Sequence, residues 1–147
     1  MRYLITFACY GSHLHGDERG SVDRDHNAPG ARYVGPSVER VAAMREQMDQ
    51  APYLLDRARR GIVLRAIREV CFSRKWTLMA AHVRTNHVHM VVEANAPPEK
   101  VMLDFKAYLS RRLNDSRLDP PNRKRWARHG STRWLWNDAA VNAAIRY

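Results

Sequence analysis

The chain has 147 residues, 45% of them hydrophobic, which suits one globular domain with a core. Its 25 basic residues, most of them arginine, outnumber 15 acidic residues and give a net charge of +10. The planar guanidinium group of arginine binds phosphate through two parallel hydrogen bonds, so this charge favours nucleic acid as the partner. No apolar run approaches the roughly 20 residues of a membrane span. The opening MRYLITFACYG is too short an apolar run for a signal peptide, which predicts a cytoplasmic protein without membrane attachment.

The first third of the chain predicts a strand followed by an insertion. Residues 2–11, RYLITFACYG, are rich in β-branched and aromatic residues, a composition typical of a strand. Residues 12–36 are polar and contain Gly and Pro, which predicts a long loop. Ser37 is a suitable N-cap for a short helix over 37–50. We therefore treat the loop and short helix, around 12–51, as an insertion.

The remaining residues predict a helix, a hairpin, a second helix, a short strand and a terminal helix. Apolar residues recur at helical spacing after Pro52 and again after Pro98, and two apolar runs flank a tight turn in which Asn86 suits a positive φ. The predicted elements are a helix over 52–73, strands over 76–83 and 87–94, a helix over 98–114, a basic loop over 115–133, a strand over 133–136 and a helix over 137–147.

This order of elements, β-α-β-β-α-β with an added terminal helix, predicts an α+β fold of the ferredoxin-like (RRM-like) type. Such a fold has a four-stranded antiparallel sheet with helices on one face. The two cysteines, Cys9 and Cys71, fall in a predicted strand and a predicted helix. We interpret them as small buried hydrophobic residues rather than a disulfide.

Two histidines interrupt the apolar run RTNHVHMVVEA over residues 84–94. Because side chains alternate along a strand, His87 and His89 point to the same face and could share one divalent ion. Imidazole is a common ligand of divalent metals. The alternative is two histidines placed by chance on a solvated face. No Cys pair or H-E-x-x-H helix accompanies them, so a structural zinc site is not predicted.

The segments NHVHMVV, FKAYLSRRLN and RWLWNDAAVNAAIRY resemble the single-tyrosine HUH transposases, which include REP-associated tyrosine transposases and small insertion-sequence transposases. The resemblance covers residues 76–147 well and the opening strand moderately, and GDERG at 16–20 is similar to some relatives. It implies one transposase domain over 1–147. It also implies DNA transposition, by metal-dependent nicking and rejoining of single-stranded or hairpin DNA through a 5′-phosphotyrosine. The implied cofactor is a divalent metal, Mg or Mn, held by His87 and His89.

The resemblance also implies that Tyr147, on the terminal helix, is the catalytic nucleophile. Tyr108, on the helix after the histidine strand, is the alternative, although core packing explains it more simply. Members of the family carry a third metal ligand, often Gln, Glu or His, one helical turn after the tyrosine, and no residue follows Tyr147 in this sequence. The possible substitutes are His13, Asp17, Glu18 and His82.

Basic and aromatic residues near the end of the chain predict a DNA-binding surface, because single strands bind through phosphate contacts and base stacking. Alternatively, the arginines form a solvated face and the tryptophans belong to the core. Both a monomer and a homodimer are compatible with the sequence. The competing functions are a non-catalytic RRM-like nucleic-acid-binding module and a relict transposase. The histidines distinguish the first of these, because an RNA-binding sheet of the RRM type would display aromatic rings at the positions where this chain has His87 and His89. The predicted DNA-binding residues are Arg84, Arg111, Arg112, Arg123, Lys124, Arg125, Trp126, Arg128 and Arg133.

Overall fold

The computed structural model describes residues 1–12 and 49–147. Most of the predicted insertion, including residues 37–48 of the helix predicted over 37–50, therefore lies outside the described residues. In the described part, no helix is long and apolar enough to cross a membrane. The elements are β1 (Arg2–Cys9), α1 (Arg57–Arg74), β2 (Thr77–Val83), β3 (His87–Glu93), α2 (Pro98–Ser116), β4 (Trp126–Trp134) and α3 (Asp138–Arg146).

The four strands form one antiparallel sheet in the order β2-β3-β1-β4. This order, with a helix connecting β1 to β2 and another connecting β3 to β4, confirms the predicted ferredoxin-like α+β fold. The register places His89 opposite Thr6 of β1 on one side and opposite His82 of β2 on the other. The histidine strand is therefore an inner strand of the sheet.

The two faces of the sheet are covered by different helices. Against one face, α1 and α2 form the main core, in which Ile5, Val88 and Phe105 are fully buried. Each such side chain stabilises the fold by about 1.5–3 kcal/mol through burial. On the opposite face, α3 packs Val141 over Val91 in a second, smaller cluster. Cys9 and Cys71 are both free and buried, as predicted.

The first described helix begins at Arg57, five residues later than predicted. Asp56 is its N-cap, and the Asp56 side chain accepts a hydrogen bond from the backbone N–H of Arg59 at 2.9 Å. The preceding residues are not helical because their backbone binds elsewhere: the N–H of Tyr53 donates to Tyr10 and that of Leu55 donates to Thr85. Tertiary hydrogen bonds thus override the helix-starting signal of the proline.

The last strand differs most from its prediction. The structure has β4 over Trp126–Trp134, where we predicted mainly loop over 115–133 and a strand over 133–136. β4 pairs only with β1, so it is an edge strand, mostly exposed, and it does not need alternating apolar residues. Gly130 suits it because a Cβ there would lie 2.6 Å from Met102 Sδ and 2.7 Å from the carbonyl oxygen of Thr6.

The turn between β2 and β3 closes without a positive φ at Asn86, contrary to the prediction. Among the described residues, only Lys75, Arg117, Asn122 and Gly11 have positive φ values. The turn is instead held by a hydrogen bond from the backbone N–H of Arg84 to the carbonyl of His87, at 2.8 Å.

Candidate active site

Three imidazoles lie side by side on the face of the sheet that carries α3. His87 and His89 project from β3 with ring centroids 5.2 Å apart, as the two-residue period of a strand requires. His82 of β2 is the cross-strand neighbour of His89, and their ring centroids are 5.3 Å apart. His89 is therefore in the centre of the group.

The His89 side chain is buried without any hydrogen bond. The residue is only 5% exposed, and neither Nδ1 nor Nε2 has a partner among the described residues. An unsatisfied buried polar group costs about 1–3 kcal/mol, so His89 is not explained by stability. Burial lowers the pKa of His89 below its ordinary value, and the neighbouring imidazoles and Arg84 lower it further. The ring is thus held neutral, which is the form that coordinates metals.

His87 has a defined orientation. Its Nδ1 lies 2.9 Å from the side-chain oxygen of Asn86, which can only accept a hydrogen bond. In the tautomer that donates this hydrogen bond, Nδ1 carries the proton. A hydrogen bond of this kind fixes the tautomer of metal-binding histidines.

The position of Tyr147 follows from the way α3 is capped and packed. The Asn137 side chain caps the helix start by accepting from the backbone N–H of Ala140 at 2.8 Å. Val141 and Ala144 are buried against the sheet. The helix ends at Arg146, and Tyr147 is the C-cap residue, with its ring centroid 5.4 Å from that of His89 and 74% of the residue exposed.

A cleft of about 640 Å³ opens between α3 and the sheet. It contains two hydroxyl groups, a guanidinium group, two imidazoles and a phenol, the mixture of donors and positive charge that a phosphodiester would require. We call it the histidine cleft and define it by Thr6, His87, His89, Ser131, Arg133 and Tyr147.

The described residues supply two candidate metal ligands rather than a complete set. No group of three or more His, Cys, Asp or Glu residues in this part of the chain is arranged to hold a metal ion. His82 meets His89 edge to face, in an 80° arrangement of the rings. Of the other proposed substitutes for a third ligand, His13, Asp17 and Glu18 all lie outside the described residues.

The alternative nucleophile, Tyr108, is on the other side of the sheet. Its hydroxyl donates to Glu69 at 2.8 Å and accepts from Arg112 at 3.0 Å, which joins α2 to α1. Tyr108 also packs against the main core. The structure therefore brings Tyr147, and not Tyr108, to the histidines.

The predicted DNA-binding residues fall into separate places. Arg133 lines the histidine cleft, Arg84 is exposed in the turn next to the histidines, and Arg128 is exposed on β4. Arg111 and Arg112 lie on α2, on the helix-covered side, where both guanidinium groups contact the Tyr108 ring. Only part of the predicted set is therefore near the cleft.

The four predicted residues over 123–126 bind the protein itself. Arg123 donates to Gln50 and Ala51, and Lys124 pairs with Asp49. Arg125 is 5% exposed and pairs with Asp119, so its guanidinium group is used inside the fold. The indole N–H of Trp126 donates to the Lys106 carbonyl oxygen at 3.1 Å and to the Ser110 hydroxyl at 2.9 Å.

Trp136 is one of the tryptophans near the end of the chain for which the sequence left both a DNA-binding role and a place in the core open. Trp136 is 74% exposed, and its ring is stacked on that of Trp134. The available signal was its position between the end of the last strand and the Asn137 cap, where the chain leaves the sheet.

The family model described as "Transposase IS200 like" matches residues 48–138 of the chain, which is more than half of its length. The match includes His87, His89 and the elements from α1 to β4, and it ends at the first residue of α3. No curated protein matches the chain. The length of the match shows the family, whose members act on DNA in transposition: the chain belongs to the IS200-like transposases, the single-tyrosine HUH group that its histidine strand resembles.

Proposed function

We propose that the protein nicks and rejoins single-stranded or hairpin DNA through a 5′-phosphotyrosine on Tyr147, with a divalent metal, Mg or Mn, at the histidine cleft. The observation that carries the proposal is the juxtaposition of Tyr147 with His89. The two ring centroids are 5.4 Å apart, and both His89 nitrogens are buried without a hydrogen-bond partner in the described part of the chain. A family of DNA transposases supplies the substrate class.

The residues fit the implied metal in two respects. A ligand bond would satisfy one of the two unsatisfied buried nitrogens of His89, and Nδ1 of His87 lies at hydrogen-bond distance from the Asn86 side-chain oxygen, an arrangement that orients metal-binding histidines. His87 and His89 would hold the ion. When bound, a divalent metal supplies charge neutralisation and orientation for a phosphodiester.

The protein's own groups account for the covalent step. The phenolic oxygen of Tyr147 bonds to the backbone phosphorus and gives its proton to solvent, while the bond from phosphorus to O3′ breaks and O3′ takes up a proton from solvent to become a 3′-hydroxyl. Arg133, which lines the same cleft, offsets the negative charge of the phosphate. In the reverse step a 3′-hydroxyl attacks the phosphotyrosine and frees the phenol, so no nucleoside triphosphate is consumed.

The test is incubation with hairpin-forming single-stranded DNA labelled at its 3′ end, with Mn²⁺, Mg²⁺ or EDTA. The label remains on the fragment that carries the 5′-phosphate, so a protein–DNA adduct retains it. We expect an adduct with Mn²⁺ or Mg²⁺, none with EDTA, and a loss of about 1,000-fold or more in Tyr147→Phe.

Tyr108→Phe is the matched control, because it removes the same hydroxyl from the opposite side of the sheet. It should form the adduct at the wild-type rate. An adduct that persists in Tyr147→Phe, or DNA binding without any adduct in the wild type, would overturn the proposal; the second result would identify a non-catalytic binding module or a relict transposase.

A further inference from the structure

The exposed Trp136 is held in a fixed orientation by a short ladder of aromatic rings. Its ring lies parallel to that of Trp134, with centroids 5.0 Å apart and planes 6° apart. Trp134 in turn meets the ring of Tyr3 edge to face at 4.9 Å. Tyr3 is buried, and its hydroxyl donates to the carbonyl oxygen of Ala96 at 2.8 Å. The outer ring is thus anchored to the core through two others.

Among the residues that the structure describes, one other aromatic side chain outside the cleft is strongly exposed, and its surroundings differ. Phe72, on α1, is 89% exposed and is not stacked on another ring in the described part of the chain. Trp136 keeps one face on Trp134 and leaves the other open. A preorganised flat surface loses little conformational entropy when a further ring stacks on it.

We propose that Trp136 is a stacking platform for an unpaired nucleobase of the DNA, outside the histidine cleft. The inference rests on the proposed action on single-stranded DNA. A third planar ring can stack on the open face of Trp136, parallel to the two indoles. Stacking tolerates any base identity because every base has a π-face. The chain also carries a net charge of +10, which complements a polyanion.

The nearby charges allow a phosphate to approach. The Arg2 guanidinium pairs with Asp138, two residues after Trp136, at 2.7 Å, and the Asp138 side chain is 90% exposed. A surface ion pair of this kind is weak, so Arg2 can exchange its carboxylate partner for a phosphate oxygen at little cost.

The location separates this contact from the chemistry. Trp136 precedes the first residue of α3 by two positions, and Tyr147 follows the last. A helix of nine residues spans about 14 Å, so the stacked base belongs to a different nucleotide from the one that Tyr147 attacks. Trp136 should therefore affect DNA affinity and not the rate of cleavage of bound DNA.

The test is equilibrium binding of a fluorescein-labelled single-stranded oligonucleotide, and of the matching duplex, in EDTA so that no cleavage is required. Trp136→Ala should weaken binding of the single strand by about 5- to 100-fold, the range typical of a lost base–aromatic stack. Trp136→Phe should retain most of the affinity, and the duplex should be affected much less. Phe72→Ala removes a still more exposed ring and should leave the DNA affinity unchanged. Thermal melting of each variant checks that the fold is intact.

Wild-type affinity in Trp136→Ala, or equal weakening of single strand and duplex, would overturn the inference. A change in sedimentation of Trp136→Ala with unchanged DNA affinity would also overturn it, and would assign the ring to a contact between copies of the chain. Because the assay contains no metal, loss of the proposed nicking activity and loss of this contact are distinguishable.

Discussion

The two faces of the sheet differ in whether their buried polar groups have hydrogen-bond partners. On the face covered by α1 and α2, the buried polar groups are paired: the Arg125 guanidinium with Asp119, and the Lys106 ammonium with the carbonyl of Ala127. On the face covered by α3, His89 is buried with both nitrogens unsatisfied. Among the described residues no other buried side-chain nitrogen or oxygen lacks a partner. The first face satisfies its buried polar groups, and the second leaves one imidazole unsatisfied at a cost in stability.

The arginines also fall into two groups, those that bind other residues inside the protein and those that are exposed near the histidines, although composition alone does not distinguish them. Arg59 and Arg125 share one buried carboxylate, that of Asp119, and act inside the protein. Arg133 lines the histidine cleft, and Arg84 lies exposed beside the histidines. Net charge therefore overstates the number of residues available for phosphate.

The largest effect on stability should come from Asp119→Asn. The carboxylate accepts hydrogen bonds from the Tyr53 hydroxyl, at 2.7 Å, and from Arg59 and Arg125. Removing one member of a buried charge pair costs about 3–5 kcal/mol of the free energy of unfolding. Urea denaturation at pH 7 measures this. Asp115→Asn is the control, because that carboxylate is exposed and pairs only at the surface with Arg112, so it should cost less than about 1 kcal/mol.

The same variant has a pH signature. Burial alone would raise the pKa of Asp119, but hydrogen bonds from Tyr53, Arg59 and Arg125 outweigh it and lower the pKa below its ordinary value. A lowered pKa in the folded state stabilises the protein above the ordinary carboxyl range, and this stabilisation is lost as the pH falls below about 4. The difference in the free energy of unfolding between the wild type and Asp119→Asn should therefore become smaller in acid. A difference that does not depend on pH would show that packing, rather than charge, is lost.

A smaller effect should separate the two sets of surface arginines. Arg133→Ala should weaken DNA binding by up to about tenfold and reduce the slope of affinity against salt concentration by about one, because one phosphate contact is lost. Arg112→Ala, on the helix-covered side, should bind DNA within about twofold of the wild type. Fluorescence anisotropy at several salt concentrations measures both. Equal losses in the two variants would mean that DNA also contacts the part of α2 around Arg112.

The elements that were predictable are those in which local pattern and tertiary role agree. In β3 the alternation of histidines with Val88 and Met90 indicates two different environments, and the structure places them on opposite faces. The order of strands and helices was sufficient for the fold, because few topologies accommodate it. The prediction of Tyr147 as the nucleophile comes from resemblance rather than from pattern, since nothing in its local sequence indicates which face α3 would cover.

The elements that were not predictable depend on distant partners. β4 carries Gly130 and charged residues because it is an edge strand supported only by β1, so the pattern of its residues resembles that of a loop. Arg125 is buried because its guanidinium group pairs with Asp119, in the same connection between α2 and β4, and lies against the ring of Tyr53, which is distant in sequence. Trp136 is exposed because the chain turns away from the sheet before α3. The pairing of β4 with β1 and the contact of Arg125 with Tyr53 join residues that are far apart in sequence, so a window of neighbouring residues does not show them.

The most direct measurement of the central claim is a Mn²⁺ titration of the wild type and His89→Leu, followed by electron paramagnetic resonance and paired with thermal melting without metal. We expect the wild type to bind one Mn²⁺ and His89→Leu to lose that binding while melting at the same temperature or higher, since leucine leaves no unsatisfied nitrogen. His129→Ala, at an exposed position on β4, should bind Mn²⁺ like the wild type. Unchanged Mn²⁺ binding by His89→Leu, or a marked fall in its melting temperature, would contradict the assignment of His89 to function rather than to stability.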